Sequence, residues 1–163
     1  MSVLSEIRDT LQGILRRRTE GLYYTSITVP GIAAADAFDA NDAVGGLFFI
    51  PVPVNGIIET AKLIDPDDDT LALTVHLFTR TVTVAASDAA FTISANDALY
   101  WVTSITFDTP IVDIGSAKVS EKSGSTHYYA PLGYLWAQCS TTGTPTIAAE
   151  RMPVIQLGIR VEA

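Results

Sequence analysis

From Gly21 onward the chain consists of short runs of apolar and β-branched residues, interrupted about every eight to twelve residues by Gly, Pro, Asp or Asn. The clearest run is 71–78, in which leucine or valine occupies every second position. A period of two places these side chains on one face of a strand. Many short alternating strands separated by turns are typical of antiparallel sandwiches and jelly rolls. We therefore expect a mainly β protein with a jelly-roll-like antiparallel β-sandwich.

Further segments have the same texture, and each predicts an element. We predict strands at 22–29, 46–50, 100–107, 128–139 and 153–161, and a capped helical turn at 94–99. Segments 57–64 and 70–81 flank the Asp-rich stretch 65–69, which predicts a hairpin because Asp and Pro favour turns. The polar segment 113–126 predicts a loop with weak strand content.

The first twenty residues follow a different pattern. Leu4, Ile7, Leu11 and Ile14 recur at intervals of three and four residues, which predicts an amphipathic N-terminal α-helix. A helix of this length is marginal alone, so it packs either on its own domain or on sister helices around a symmetry axis. We divide the chain into an N-terminal helix or arm, 1–20, and a β-sandwich domain, 21–163.

Charge is distributed unevenly between these two parts. The chain carries a net charge of -8; the arm has four arginines against three acids, for +1, and the remainder has six basic and fifteen acidic residues, for -9. An acidic body argues against nucleic acid as a partner. The arginine cluster of the arm either opposes the helix macrodipole or binds an acidic partner. The candidate partner-docking residues are Leu4, Ile7, Leu11, Ile14, Arg16, Arg17 and Arg18.

No segment of the sequence predicts a membrane span or a signal peptide. The longest apolar run, 44–54, is interrupted by two glycines and two prolines, and a membrane helix needs about 20 apolar residues. Charged residues interrupt any apolar stretch at the N-terminus. Cys139 is the single cysteine, so an intramolecular disulfide is impossible and a reducing compartment is expected.

Motifs for catalysis or metal binding are absent from the sequence. His76 and His127 lack metal-ligand spacing, and neither a nucleophile elbow nor a phosphate-binding loop is present. Stretch 65–69 could supply carboxylates for Ca²⁺, but a turn explains it better because the glycine and distal glutamate of an EF-hand are missing. Cys139, at the end of an apolar strand, predicts a packed thiol. We expect a protein that is not an enzyme and needs no cofactor or metal.

The aromatic residues leave two interpretations open. Trp101 and Trp136 could stack on a sugar, but each lies in a strongly apolar run, which favours the core or a subunit interface. Exposed Tyr128, Tyr129 or Tyr134 would be the stacking residues of a carbohydrate-binding module. The high apolar content, 48%, favours contact with other protein subunits.

Several segments together resemble a known family. Segment 57–78 combines an apolar strand, an Asp-rich turn and an alternating strand that ends in Leu-Phe. Segment 91–99 contains a phenylalanine and a small acidic helical turn, and Leu-Trp-Ala-Gln at 135–138 is followed by Gly-Thr-Pro-Thr at 143–146 and the alternating strand 153–161. Over residues 40–163 the chain resembles the jelly-roll head decoration (cement) proteins of tailed bacteriophages.

This resemblance implies a structural protein of the virion. Such a protein is assembled in the host cytoplasm, binds the major capsid protein on the capsid exterior and stabilises the shell, often as a homotrimer. The family has no fixed catalytic residues, and its extended arm differs from the helix predicted here with Arg16, Arg17 and Arg18. The alternatives are another virion component, a head fibre or tail protein, and a carbohydrate-binding β-sandwich module.

Overall fold

The computed structural model describes residues 21–32, 36–66, 71–108, 112–113, 115, 117–148 and 151–162. The described chain is mainly β, as predicted, with a single 3₁₀ turn at Asp97–Tyr100 among the described residues. The predicted N-terminal helix and its candidate docking residues lie outside the described residues. The strands are β1 Leu22–Thr28, β2 Asp36–Ala37, β3 Ala43–Pro51, β4 Asn55–Asp65, β5 Leu73–Phe78, β6 Trp101–Phe107, β7 Val112–Asp113, β8 Lys118–Tyr129, β9 Tyr134–Thr141, β10 Thr146–Ile147 and β11 Val154–Val161.

The long strands form two antiparallel sheets. The first has the order β1-β11-β4-β8-β7 and the second the order β3-β9-β5-β6, while β10 and β2 form a small ribbon. Eight of the described strands have six or more residues. We number these eight strands in chain order and read each sheet from one edge to the other. The first sheet then contains the first, eighth, third and sixth strands, and the second sheet contains the second, seventh, fourth and fifth.

One buried hydrophobic cluster draws side chains from both sheets. Leu63 and Leu157 come from the first sheet and Leu77 and Leu135 from the second, and each is at most 1% exposed. The period-two patterns produce this cluster, because every second side chain of a strand faces the same side. In β11 the alternate residues Ile155, Leu157 and Ile159 are fully buried.

The segment between β5 and β6, residues 79–100, crosses the outer face of the second sheet, and we call it the strap. Val75 and Leu77 belong to the main cluster, so their neighbours His76 and Phe78 face the opposite side of β5. Phe78 is nevertheless fully buried. The Gln138 side chain, also fully buried, donates through Nε2 to the carbonyl of Ala85 in the strap at 2.9 Å. The strap therefore closes a second, smaller apolar layer outside the main core.

The predicted hairpin between 57–64 and 70–81 is wrong. β4 pairs with β11 and β8, whereas β5 pairs with β6 and β9. The Asp-rich connection carries the chain from one sheet to the other. Alternation of apolar residues identifies a strand but does not identify the strand with which it pairs. Two strands that are adjacent in sequence were therefore wrongly predicted to pair.

The prediction of a single strand at 128–139 and of a loop at 113–126 is also wrong. The polar residues from Lys118 onward form most of the twelve-residue strand β8, which ends at Tyr129. A turn containing Pro131 and Gly133, the latter with φ 75°, separates β8 from β9. β8 was missed because much of its side-chain surface is exposed, which leaves a polar sequence without a complete apolar face.

Several chain ends and connections meet at one end of the two sheets. Leu22 at the start of β1 pairs with Arg160 near the end of β11, and Gly56 near the start of β4 pairs with both Val161 and Tyr128. Short connections join β3 to β4 and β8 to β9 at this same end. Among the described residues, no helix has the length and apolar character needed to span a membrane.

Candidate functional site

Large apolar side chains are exposed around the connection from β8 to β9. Tyr129 and Leu132 are 60% and 63% exposed, and Trp101 and Phe49 are 53% and 52% exposed. Single exposed apolar residues are ordinary, but a contiguous exposed group marks an interaction surface. The group divides into a concave part with polar walls and a more apolar part.

The concave part is a cleft of about 560 Å³ between the beginning of β6 and the end of β8, and we call it the edge cleft. β6 is the edge strand of the second sheet. In the first sheet the edge strand β7 pairs with β8, within the described residues, only at Lys118 and Val119, so the far end of β8 lies open beside β6. Its wall residues come from the strap, β6, β8 and the following turn. They are Thr79, Arg80, Tyr100, Trp101, Val102, His127, Tyr128, Tyr129 and Pro131.

A capped turn places the aromatic wall of this cleft. The Ser94 hydroxyl accepts a hydrogen bond from the Asp97 backbone amide at 3.1 Å and donates to the Asp97 carboxylate at 2.8 Å. This confirms the predicted helical turn, which ends where Trp101 becomes extended and begins β6. The indole Nε1 of Trp101 donates to the Ser104 hydroxyl at 3.0 Å, which fixes one edge of the ring.

The charged side chain in the lining of the cleft is a cation, Arg80. The Arg80 guanidinium lies 5.3 Å from the centroid of the Tyr100 ring, and it has no carboxylate partner among the described residues. Nδ1 of His127 lies 3.4 Å from a carboxylate oxygen of Glu162. Glu162 does not line the cleft, and neither does any other Asp or Glu. The edge cleft is thus free of acidic walls in a protein of net charge -8.

The more apolar part, which we call the aromatic patch, consists of Phe49, Leu132, Tyr134 and Trp136. The ring centroids of Phe49 lie 5.5 Å from Tyr134 and 6.1 Å from Trp136, and the Tyr134 and Trp136 rings meet edge to face at 5.7 Å. A smaller hollow of about 400 Å³ borders this patch and shares Thr79, Arg80 and Pro131 with the edge cleft. The two parts therefore adjoin.

Among the three tyrosines predicted to stack on a sugar, Tyr128 is wrongly placed to do so. It is 7% exposed and belongs to the main hydrophobic cluster. Its hydroxyl lies over Gly56, where an added Cβ would come within 2.8 Å of the oxygen. Burial, together with the charge of Tyr23, raises the pKa of Tyr128. Tyr129 projects from the cleft wall, and Tyr134 is partly buried in the patch.

The two tryptophans do not occupy the main core. Trp101 is the first residue of β6, the outermost strand of the second sheet, so no neighbouring strand covers it on that side. Trp136 is partly buried among the rings of the patch. The expectation of a core position is wrong for Trp101, and a subunit interface stays a prediction.

Sequence reasoning missed Arg80, Phe49 and Leu132. Arg80 had one available signal, since it is the only lysine or arginine between Lys62 and Lys118. Phe49 and Leu132 had none, because an exposed apolar residue in a strand or turn is indistinguishable in sequence from a buried one.

His76 lies on the outer face of β5, beneath the strap. Its Nδ1 is 2.8 Å from the Ser104 hydroxyl and its Nε2 is 2.9 Å from the Ser140 hydroxyl. Burial lowers the pKa of His76 to about 4, so the ring is neutral at physiological pH. These contacts indicate a structural histidine.

The other candidates for chemistry are not assembled into a site. Cys139 is fully buried, as predicted, and burial raises the pKa of its thiol. Asp65 is buried at the end of β4, while Asp67, Asp68 and Asp69 lie outside the described residues. In the described part of the chain, no three His, Cys, Asp or Glu side chains are grouped to hold a metal ion.

Comparison with known proteins adds no relative from which a function could be transferred. No protein-family model matches the chain, and no curated protein matches its sequence. The interpretation of the surface therefore depends on its own geometry.

Proposed function

We propose that this protein is a structural component of a bacteriophage virion, a head decoration or cement protein that binds the capsid shell and stabilises it. The strand order carries the proposal. The eight long strands distribute as first, eighth, third and sixth against second, seventh, fourth and fifth, and this distribution supports a jelly roll. Viral capsid proteins commonly use this sandwich, and it is the fold that the family resemblance implies.

The aromatic patch supports binding to protein. Aromatic residues are enriched in protein interfaces, and the patch combines three contacting rings with the exposed Leu132. A partner that covers it would remove this apolar area from water. We propose that the partner is the major capsid protein on the capsid exterior, and that the decoration protein acts as a homotrimer.

Stabilisation by such a protein requires contacts with more than one shell subunit. The closed double sheet leaves its connections and ends available for those contacts. Residues 1–20 would supply a second attachment, with an apolar stripe and with arginines that suit an acidic surface. Two attachment points on different subunits would resist separation of the shell under internal pressure.

Co-sedimentation with assembled shells tests this proposal. The full chain is mixed with shells of the major capsid protein encoded by the same genome, and with isolated tails as the alternative target. Saturable binding to shells is expected, and Trp136→Ala should weaken it by about tenfold or more. Tyr24→Ala is the control, because Tyr24 is an exposed aromatic residue on β1, outside the patch.

Two results would overturn the proposal. Binding to tails and not to shells would assign the protein to a tail, and binding to neither would remove it from the virion. Native mass spectrometry of the shell-bound fraction, after release, should give three times the mass of the 17.4 kDa chain. A monomer in that fraction would exclude the trimer.

A further inference from the structure

We infer that the edge cleft binds a carbohydrate that carries a carboxylate, such as an oligosaccharide containing a uronic or sialic acid. The inference concerns a different surface from the aromatic patch. It does not depend on the virion role proposed above.

The aromatic walls of the cleft suit a pyranose ring. Trp101 from β6 and Tyr129 from β8 are each more than half exposed, and both line the same hollow. The C–H groups on one face of a sugar pack against an aromatic face, while the hydroxyls of the sugar need polar partners around it. The hydrogen bond from Trp101 to Ser104 holds the indole before any ligand arrives, which reduces the entropy lost on binding.

The size and polarity of the cleft also fit a small polar ligand. Its volume of about 560 Å³ lies within the range of roughly 300–1,000 Å³ that ligand sites occupy. Thr79, Tyr100 and His127 contribute hydroxyl and imidazole groups to the lining. Because Nδ1 of His127 faces Glu162, Nε2 is the nitrogen left for a ligand.

Arg80 selects for a carboxylate. Its guanidinium is held over the Tyr100 ring, and within the described residues no acid neutralises it. A guanidinium can donate two parallel hydrogen bonds to one carboxylate. The absence of Asp and Glu from the lining reduces the repulsion that the acidic protein exerts on an anion, and Glu162 is paired with His127. Charge and shape thus favour an acidic sugar over a neutral one.

A protein segment is the competing occupant. The aromatic patch is the more apolar surface and is built chiefly of rings and a leucine, which is what a protein partner covers. The cleft instead surrounds a hollow with polar groups on several sides, and this arrangement recognises separate hydroxyls.

Isothermal titration calorimetry with the full chain tests the inference. The probes are trigalacturonate and 3′-sialyllactose, each compared with its neutral counterpart, galactotriose or lactose. Binding of at least one acidic probe is expected below ~5 mM, with weaker binding of its neutral counterpart. Trp101→Ala and Tyr129→Ala should each lower that affinity by about tenfold. Arg80→Gln should abolish the preference for the acidic probe while the neutral affinity stays unchanged.

The controls match each variant in type and exposure. Tyr24→Ala removes an aromatic ring that is 56% exposed on another strand, and Arg151→Gln removes an exposed cation outside the cleft. Neither should alter glycan affinity. The inference fails if neither acidic probe binds, or if binding is insensitive to all three cleft variants. It also fails if those variants lose shell binding while no glycan binds, because the cleft would then be a protein interface.

Discussion

The His76 and Phe91 rings stack with their centroids 4.1 Å apart and their planes inclined by 12°. His76 belongs to β5 and Phe91 to the strap, so this contact fastens the strap to the second sheet. Both imidazole nitrogens also face serine hydroxyls, which places the ring between sheet neighbours and strap. The stability of the strap is thereby coupled to the protonation of one histidine.

Acidification should weaken the fold in a window set by His76. Burial lowers the pKa of His76 from its ordinary 6.5 to about 4, so the unfolded chain binds a proton in this range and the folded chain does not. The contribution of neutral His76 is complete above pH 6.5 and is lost as pH falls towards 4, at most about 2–3 kcal/mol. Urea unfolding across this range measures it. His76→Gln should flatten the dependence of the unfolding free energy on pH, whereas His127→Gln serves as the control and should not change it. Equal slopes of unfolding free energy against pH for wild type and His76→Gln would refute the role of His76.

Charge at position 138 should be far more damaging than loss of its hydrogen bond. The buried Gln138 amide donates to Ala85, and its Oε1 has no partner among the described residues. Gln138→Leu keeps the shape and loses one hydrogen bond, which costs about 1 kcal/mol. Gln138→Glu places a buried acid against the Ala85 carbonyl and should cost about 3 kcal/mol near neutral pH. Chemical denaturation measures the free energy of unfolding of the Gln138→Leu and Gln138→Glu variants. Equal losses of stability in the two variants would contradict the buried polar contact.

Two adjacent glycines should differ in their sensitivity to the same substitution. Gly45 has φ 68°, and a Cβ there would overlap the carbonyl oxygen of Pro30. Gly45→Ala should therefore destabilise the protein by about 2–4 kcal/mol. Gly46 has open space around a Cβ, so Gly46→Ala should change the free energy of unfolding by less than about 0.5 kcal/mol. Thermal unfolding of the Gly45→Ala and Gly46→Ala variants measures the difference. Similar melting temperatures for the two variants would mean that the backbone at Gly45 is not held in this conformation.

Removal of residues 1–18 should weaken shell binding without unfolding the β domain. Among the described residues, the hydrophobic cluster contains residues from Val29 onward. Changing Arg16, Arg17 and Arg18 to Ala together should lower shell affinity mainly at low salt, because salt screens exposed charges. Circular dichroism checks folding and co-sedimentation checks binding. An unfolded truncated chain would make the helix part of the core, and undiminished binding would exclude the arm from docking.

The sequence predicted individual strands better than their partners. β1 and β11 lie within one or two residues of the predicted bounds, because both carry a strong period-two or β-branched pattern. β4 and β5 were also recognised, but their assignment to different sheets depends on long-range pairing that alternation does not encode.

The candidate site was predictable only in part. Trp101 and Tyr129 were recognised as residues that could stack on a ligand, but their exposure depends on positions at sheet edges. Arg80 becomes important because the strap returns it to the Tyr100 ring, twenty residues further along the chain. A contact of that kind depends on the path of an irregular segment, which residue periodicity does not specify.

The pairing of Leu22 with Arg160 makes the β domain suitable for circular permutation. Paired residues in neighbouring antiparallel strands lie about 5 Å apart, so a linker of a few residues could join 162 to 22 without disturbing a strand pair. New ends could open between Asp65 and Leu73, in the connection that passes from one sheet to the other. The same closeness means that two polypeptides fused to the two ends of the β domain would emerge side by side, so the domain could be inserted into a loop of a host protein.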